Sequence, residues 1–312
     1  MSASFLSAVD SRAAEAASTS ATAAKTTPGI KLKNESSMAA AMRGMRERAT
    51  FAYRGISVEY SELPDAEDNL LFGNVLWPCA ETLAKMLIDE TKSGAKIWSE
   101  ANAMQVGMPL EMLLKRRFGV DVATPPSPTA LEWLGVESAI PDVTASGGAS
   151  VLEVGAGVGL TGLVCHALGA SSVLLTDGEE RLVEALRARH TDCPGTLKFA
   201  HLDWHADESD SAERFDLIIG CEVLHPACSG EVHVPALIAR KLAKVAGARA
   251  MLLSDVRSVQ TCYTAVHALA MHGLRVAAFQ IVGREGFQVR LDSLPAVGSQ
   301  LLLVATWAPA DA

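Results

Sequence analysis

From Ser150 onward, short apolar runs alternate with longer stretches in which apolar residues recur every three or four positions. The short runs are ASVLEVG (149–155), SVLLTD (172–177), TLKFAHLD (196–203), FDLIIG (215–220), ARAMLLSD (248–255), LRVAAFQIV (274–282) and QLLLVATW (300–307). Each is bounded by polar or glycine residues, the mark of a buried strand. The longer stretches LTGLVCHAL (160–168), EERLVEALRARH (179–190), VPALIARKLAKVA (234–246) and VQTCYTAVHALAMH (259–272) predict helices, the first closed by Gly169. A strand followed by a helix must cross over before the next strand can pair, so the pattern predicts a largely parallel sheet covered on both faces. The last two strands have no helix between them and predict an antiparallel pair. The expected fold class is α/β: a Rossmann-like, seven-stranded, mostly parallel sheet with helices on both faces and an antiparallel final strand.

Upstream, FAYRGISVEYSE (51–62) alternates apolar and polar positions around Gly55, which predicts a small hairpin. LFGNVLWPCAETLAKMLIDE (71–90) predicts a helix starting near Pro78, with Leu83, Met86, Leu87 and Glu90 on one face. Between them and the regular region lie the basic run Lys115-Arg116-Arg117, a PPSP segment and the pair Gly147-Gly148, which read as an insertion of mixed helix and loop. Residues 1–37 are rich in Ala, Ser and Thr without apolar periodicity. The expected organisation is therefore a disordered tail over 1–37, a hairpin and helix packing on the core over 38–92, an insertion over 93–148, and a ligand-binding core over 149–312. A transit segment is the alternative for the tail, because it carries few acids.

Composition adds exclusions. Hydrophobic residues make up 49% of the 312, enough for a large core. No apolar run approaches the roughly 18 residues that span a bilayer, so a soluble chain without membrane partners is expected. The formal charge is −9, and the first 50 residues hold seven of the 27 Lys/Arg but only four of the 36 Asp/Glu. The rest of the chain is thus strongly acidic, which disfavours nucleic acid and suits a basic protein partner. The six cysteines form no CxxC pair and mostly sit in apolar stretches. That usage fits a reducing compartment, the cytoplasm by preference, with an organelle as the alternative. Cys221, Cys228, His225 and His233 match no common zinc spacing, and no metal is expected. A monomer is the simplest assembly.

The candidate chemistry gathers where strands end. Glu153-Val154-Gly155-Ala156-Gly157-Val158-Gly159 joins the first core strand to its helix, and its glycines let a ligand lie against the main chain at the carboxyl edge of the sheet. Gly157, Gly159 and Gly162 also spell the GxGxxG of dinucleotide sites. Glu153 argues against that ligand: placed at the mouth of the strand, its carboxylate repels a pyrophosphate and attracts the ammonium and sulfonium of S-adenosylmethionine. Asp177 ends the next strand, where it can accept both hydroxyls of a ribose. Asp203 and Trp204 follow the third, suited to the amino group and the face of adenine.

Taken together, LWPCAETLAKML, VLEVGAGVGLTGL, the TD after the second strand, LDW after the third and FDLIIGCEVLH at the fourth resemble the class I, seven-strand methyltransferases. The chain is most similar to the family 16 branch of protein-lysine methyltransferases, over roughly residues 51–92 and 148–307. The resemblance implies a methyl transfer from S-adenosylmethionine to a lysine of a non-histone protein. By position, it implies that Trp77 closes the cofactor pocket, that Gly155, Ala156 and Gly157 bed the methionine moiety, that Asp177 binds ribose and Trp204 flanks adenine. It also implies that Cys221, standing where the family usually has Ala, touches the cofactor. The branch shows an acid, two residues and then Tyr or Phe after the fourth strand; here Glu222-Val223-Leu224-His225 keeps the acid and replaces the aromatic. Glu222 is expected to orient the acceptor, and His225 to act as channel wall or base, imidazole being a group that titrates near neutrality. A small-molecule methyltransferase, a nucleotide-linked oxidoreductase and a cofactor-binding module without catalysis are the alternatives.

Overall fold

The computed structural model describes residues 49–62, 73, 75–93, 130–191, 193, 195–206, 213–225, 229–281 and 298–307. The expected tail over 1–37, the basic run at 115–117 and Cys228 lie outside them. Strands β1 (Ala49–Tyr53) and β2 (Ile56–Tyr60) form the hairpin. Its two-residue turn has positive φ at both Arg54 (45°) and Gly55 (76°), the primed geometry that matches strand twist. Helix α1 (Pro78–Ser93) starts at the proline and buries Leu83, Met86, Leu87 and Glu90 as its spacing requires. The carboxyl of Glu90 accepts the Ser138 hydroxyl at 2.6 Å, which is how an acid is tolerated there.

The core elements follow in the order β3 (Ser150–Val154), α3 (Leu160–Leu168), β4 (Ser172–Asp177), α4 (Glu180–Arg189), β5 (Leu197–His201), β6 (Leu217–Cys221), α5 (Gly230–Lys241), β7 (Arg249–Asp255), α6 (Val259–Met271), β8 (Leu274–Ile281) and β9 (Gln300–Trp307). A short helix α2 (Ala130–Leu134) precedes them. The seven strands are ordered β5-β4-β3-β6-β7-β9-β8. β3 to β7 run parallel, and β9 inserts between β7 and β8, antiparallel to both.

Period-2 alternation sorts the side chains between two layers. Val151, Val173, Leu217, Ile219, Met251 and Phe279 point to the face covered by α1, α2, α3 and the hairpin. Leu152, Val154, Ile218, Leu252 and Ala278 point to the face covered by α5 and α6. Two expectations shift. Residues 130–148, read from sequence as part of the insertion, place Leu131, Leu134, Ala139, Ile140 and Val143 in the first of these layers. They are tied to the sheet by Thr306 Oγ1 donating to the Leu134 carbonyl at 2.8 Å and by Arg249 donating to the Ser138 carbonyl. Helix α5 begins at Gly230 and ends at Lys241, about a turn earlier than the 234–246 read from sequence, because Pro235 lies inside the helix instead of opening it. Among the described residues, no helix is long and apolar enough to cross a membrane.

Candidate active site

The carboxyl ends of β3, β4 and β6 and the loop after β5 open on one cleft of about 420 Å³, within the range of small-molecule sites. Ten of the residues singled out from sequence line it: Trp77, Glu153, Gly155, Ala156, Gly157, Asp177, Trp204, Cys221, Glu222 and His225. The glycine turn forms its floor. Gly155 (φ 60°) and Gly157 (φ 54°) are in the left-handed region, which side chains disfavour. A Cβ on Gly155 would come within 2.7 Å of Val223 Cγ1 and 3.4 Å of Trp204 Cζ3, so only glycine keeps the floor open.

Glu153 corrects the sequence reading. It is not at the mouth but inside β3, opposite Leu175 on one side and Ile219 on the other, and only 3% exposed. The strand runs on through Val154, and β3 has neighbours on both edges, so the carboxyl lies beneath the turn and reaches the cleft from below. Its Oε2 accepts the Gly162 N–H at 2.9 Å. A Cβ on Gly162 would stand 2.6 Å from that oxygen. The third glycine of the dinucleotide-like spacing is therefore explained by the acid that lies on it, not by a pyrophosphate. Burial pushes the Glu153 carboxyl up to about 8; the Gly162 N–H and the Thr161 hydroxyl pull it down, and the neighbouring Asp177 charge adds to the rise.

Asp177 ends β4 with both carboxylate oxygens engaged. Oδ2 accepts the Gly157 N–H at 2.9 Å and Oδ1 the Glu179 N–H at 3.0 Å, which leaves each oxygen a second lone pair. Burial raises its pKa, while those two N–H donors work in the opposite direction. Beyond β5 the indole of Trp204 reaches the cleft, whereas Asp203 turns back to accept the His205 N–H at 2.9 Å and is not part of the lining. The proposed contact of Asp203 with an adenine amino group thus has no support in the geometry.

The opposite wall is built after β6. Cys221 is its last residue, its thiol 3.8 Å from Thr161 Oγ1 and pushed up by burial, so it stays protonated. Glu222 follows with φ 59°, one of three non-glycine residues in the left-handed region among those described. Its Oε1 accepts the Asp255 N–H at 2.8 Å and the Cys79 thiol at 2.8 Å, and its Oε2 pairs with Arg257. The Arg257 guanidinium also lies over the Trp77 ring, 5.4 Å from its centroid. Cys79, Asp255 and Arg257 were missed from sequence. The one available signal was that SDVR ends the β7 run at the same carboxyl edge, but only the pairing of β7 with β6 brings it to Glu222.

Ligand atoms of Cys79, Glu222 and Asp255 lie within 4.8 Å of one another, a spacing compatible with a metal ion. The donor set argues against one. Burial pushes the Cys79 thiol far up, its hydrogen bond to Glu222 further, and Arg257 already neutralises the carboxylate.

A family model described as lysine methyltransferase matches residues 65–248, more than half of the chain. No curated protein matches it. Among solved structures, ribosomal protein L11 methylase from Lactobacillus delbrueckii subsp. bulgaricus is similar at 16% identity and TM-score 0.39, over 57% of this chain and 77% of that one. The N-methyltransferase NodS from Bradyrhizobium japonicum WM9, solved with S-adenosyl-l-homocysteine, is similar at 19% identity and TM-score 0.37, over 52% of this chain and 80% of that one. With its cleft at the carboxyl edge of a seven-stranded sheet and the family match spanning α1 to α5, the chain belongs to the lysine methyltransferase family.

Proposed function

We propose that the protein transfers a methyl group from S-adenosylmethionine to a lysine side chain of a non-histone protein, acting as a monomer in a reducing compartment. One observation carries this reading: the glycine turn, Asp177 and Trp204 share a single cleft with Glu222 and His225, so a cofactor half and an acceptor half face each other. The residues fit the group. The bare Gly155 leaves room above the turn, Asp177 offers two free lone pairs to a diol, and Trp204 presents a flat apolar surface. The Glu153 carboxyl beneath the turn attracts a cation once it ionises.

S-adenosylmethionine supplies a methyl group already activated on sulfur. The chain therefore has to align a neutral amine with that methyl and dispose of one proton. A lysine ammonium ordinarily titrates near 10.4, and removal from water favours its neutral form. Glu222, fixed by Asp255 and Cys79, holds the incoming nitrogen; a neutral imidazole at His225 takes the proton or passes it to solvent. Held by the glycine turn, Asp177 and Trp204, S-adenosylmethionine would supply the methyl for the new N–CH3 bond as its S–CH3 bond breaks.

Incubation of the protein and a cell extract with isotopically labelled methyl donor, followed by mass spectrometry, tests the reading. The expected result is label on lysine in one or a few proteins. Label confined to small molecules overturns the protein acceptor in favour of a metabolite. Cofactor binding without any labelled product favours a non-catalytic binding module.

A further inference from the structure

The contact between Arg257 and Glu222 joins two very unequal partners. The Glu222 side chain is 7% exposed, and its Oε1 is fixed by a backbone N–H and a buried thiol. The Arg257 side chain is 37% exposed and begins two residues beyond the end of β7. The anion is thus built into the sheet edge, and the cation reaches it from a loop. On its other side the guanidinium lies over the face of Trp77, 5.4 Å from the ring centroid. An indole face and a carboxylate form a place for a cation, and both groups line the cleft.

We propose that Arg257 is the specificity-determining residue of the acceptor half: it occupies the cation position between Trp77 and Glu222, and a cationic acceptor has to displace it. This rests on the reading of Glu222 as the acceptor-holding acid. The energetics favour exchange over simple opening. The Arg257 side of the pair is open to water, so another cation can reach the carboxylate and take the place of the guanidinium. The departure of Arg257 alone would leave the Glu222 carboxylate with its N–H and thiol donors but no counter-charge at 7% exposure, which is costly. Arg257 therefore leaves as another cation arrives. The substrate class this selects is a protonated amine on a flexible alkyl stem that enters charged and loses its proton inside; neutral and anionic acceptors are rejected because they cannot replace the guanidinium.

The probe is n-butylammonium, with n-butanol as its uncharged control, followed through the indole Nε1–H NMR signal of Trp77, assigned by its loss in Trp77→Phe. Removing the competing charge in Arg257→Met should tighten n-butylammonium binding about tenfold or more over the unsubstituted protein. The gain should vanish in the double variant Arg257→Met, Glu222→Gln, and n-butanol should not discriminate among them. Arg257→Gln provides a second uncharged side chain, and melting temperatures close to that of the unsubstituted protein show that the fold is kept. Equal n-butylammonium affinity with and without Arg257, no binding to either variant, or a gain that survives loss of the Glu222 charge would each overturn the proposal. S-adenosylhomocysteine binding, measured by calorimetry on the same proteins, is a separate readout. Its absence would remove the methyltransferase reading, while the n-butylammonium comparison still decides the role of Arg257.

Discussion

Asp177 Oδ2 accepts the N–H of Gly157 at 2.9 Å, so the acid that ends β4 and the glycine turn that follows β3 form one hydrogen-bonded unit. The position of this carboxylate and the shape of the floor are thereby coupled. Asp177→Asn removes the charge and one of the acceptor oxygens. Charge-assisted hydrogen bonds contribute about 1.5–3 kcal/mol, so S-adenosylhomocysteine affinity should fall roughly 10- to 100-fold. Titration calorimetry checks this; an unchanged dissociation constant would remove Asp177 from the cofactor site.

Glu153 and Gly162 require one another. Gly162→Ala would bring a Cβ to 2.6 Å from Glu153 Oε2 inside a packed layer, and overpacking of this kind costs about 1–3 kcal/mol. Glu153→Ala frees that space. In a double-mutant cycle read by urea unfolding, the alanine at 162 should therefore cost much less when Glu153 is already absent. Strict additivity would show that the two side-chain positions do not meet.

The raised pKa of Glu153 predicts a pH dependence of stability with a definite sign. Its ordinary value is 4.5 and its folded value about 8, so between these the folded protein binds the proton that the unfolded chain releases. The stability it contributes is complete below about pH 4.5 and is lost as the pH rises through about 8. Glu153→Gln cannot ionise and keeps an oxygen for the Gly162 N–H. Relative to the unsubstituted protein it should gain stability on the order of 4 kcal/mol from about pH 5 to about pH 9. Urea unfolding across that range measures the difference, and parallel curves would contradict the assignment.

Glu222→Gln separates charge from scaffold. The amide oxygen can still accept from the Asp255 N–H and the Cys79 thiol, so melting temperature and S-adenosylhomocysteine affinity should stay close to those of the unsubstituted protein. Methyl transfer to protein should drop at least about tenfold, the effect of losing one charge-assisted contact at the acceptor. Initial rates with labelled donor decide it; a rate unchanged by the substitution would exclude Glu222 from holding the acceptor.

What the sequence determined by itself was the identity of the elements and most of the cleft. β4 and β9 have the limits that their apolar runs set, because a strand buried on both faces is bounded wherever the apolar run stops. Positions that follow strand ends in a parallel sheet share one edge, and this is why Asp177, Trp204 and Glu222 were legible in the sequence. Periodicity does not say which strand lies beside which, or how deep an individual polar residue sits. The insertion of β9 between β7 and β8 depended on strand pairing. So did the burial of Glu153, since a carboxyl one residue from a strand end is wet or dry according to what lies on either side. The meeting of Arg257 with Glu222 across 35 residues was settled by the same kind of contact, the parallel register of β6 on β7. Local pattern reports which side of a segment avoids water; only the packed neighbours decide which charges must find each other once water is gone.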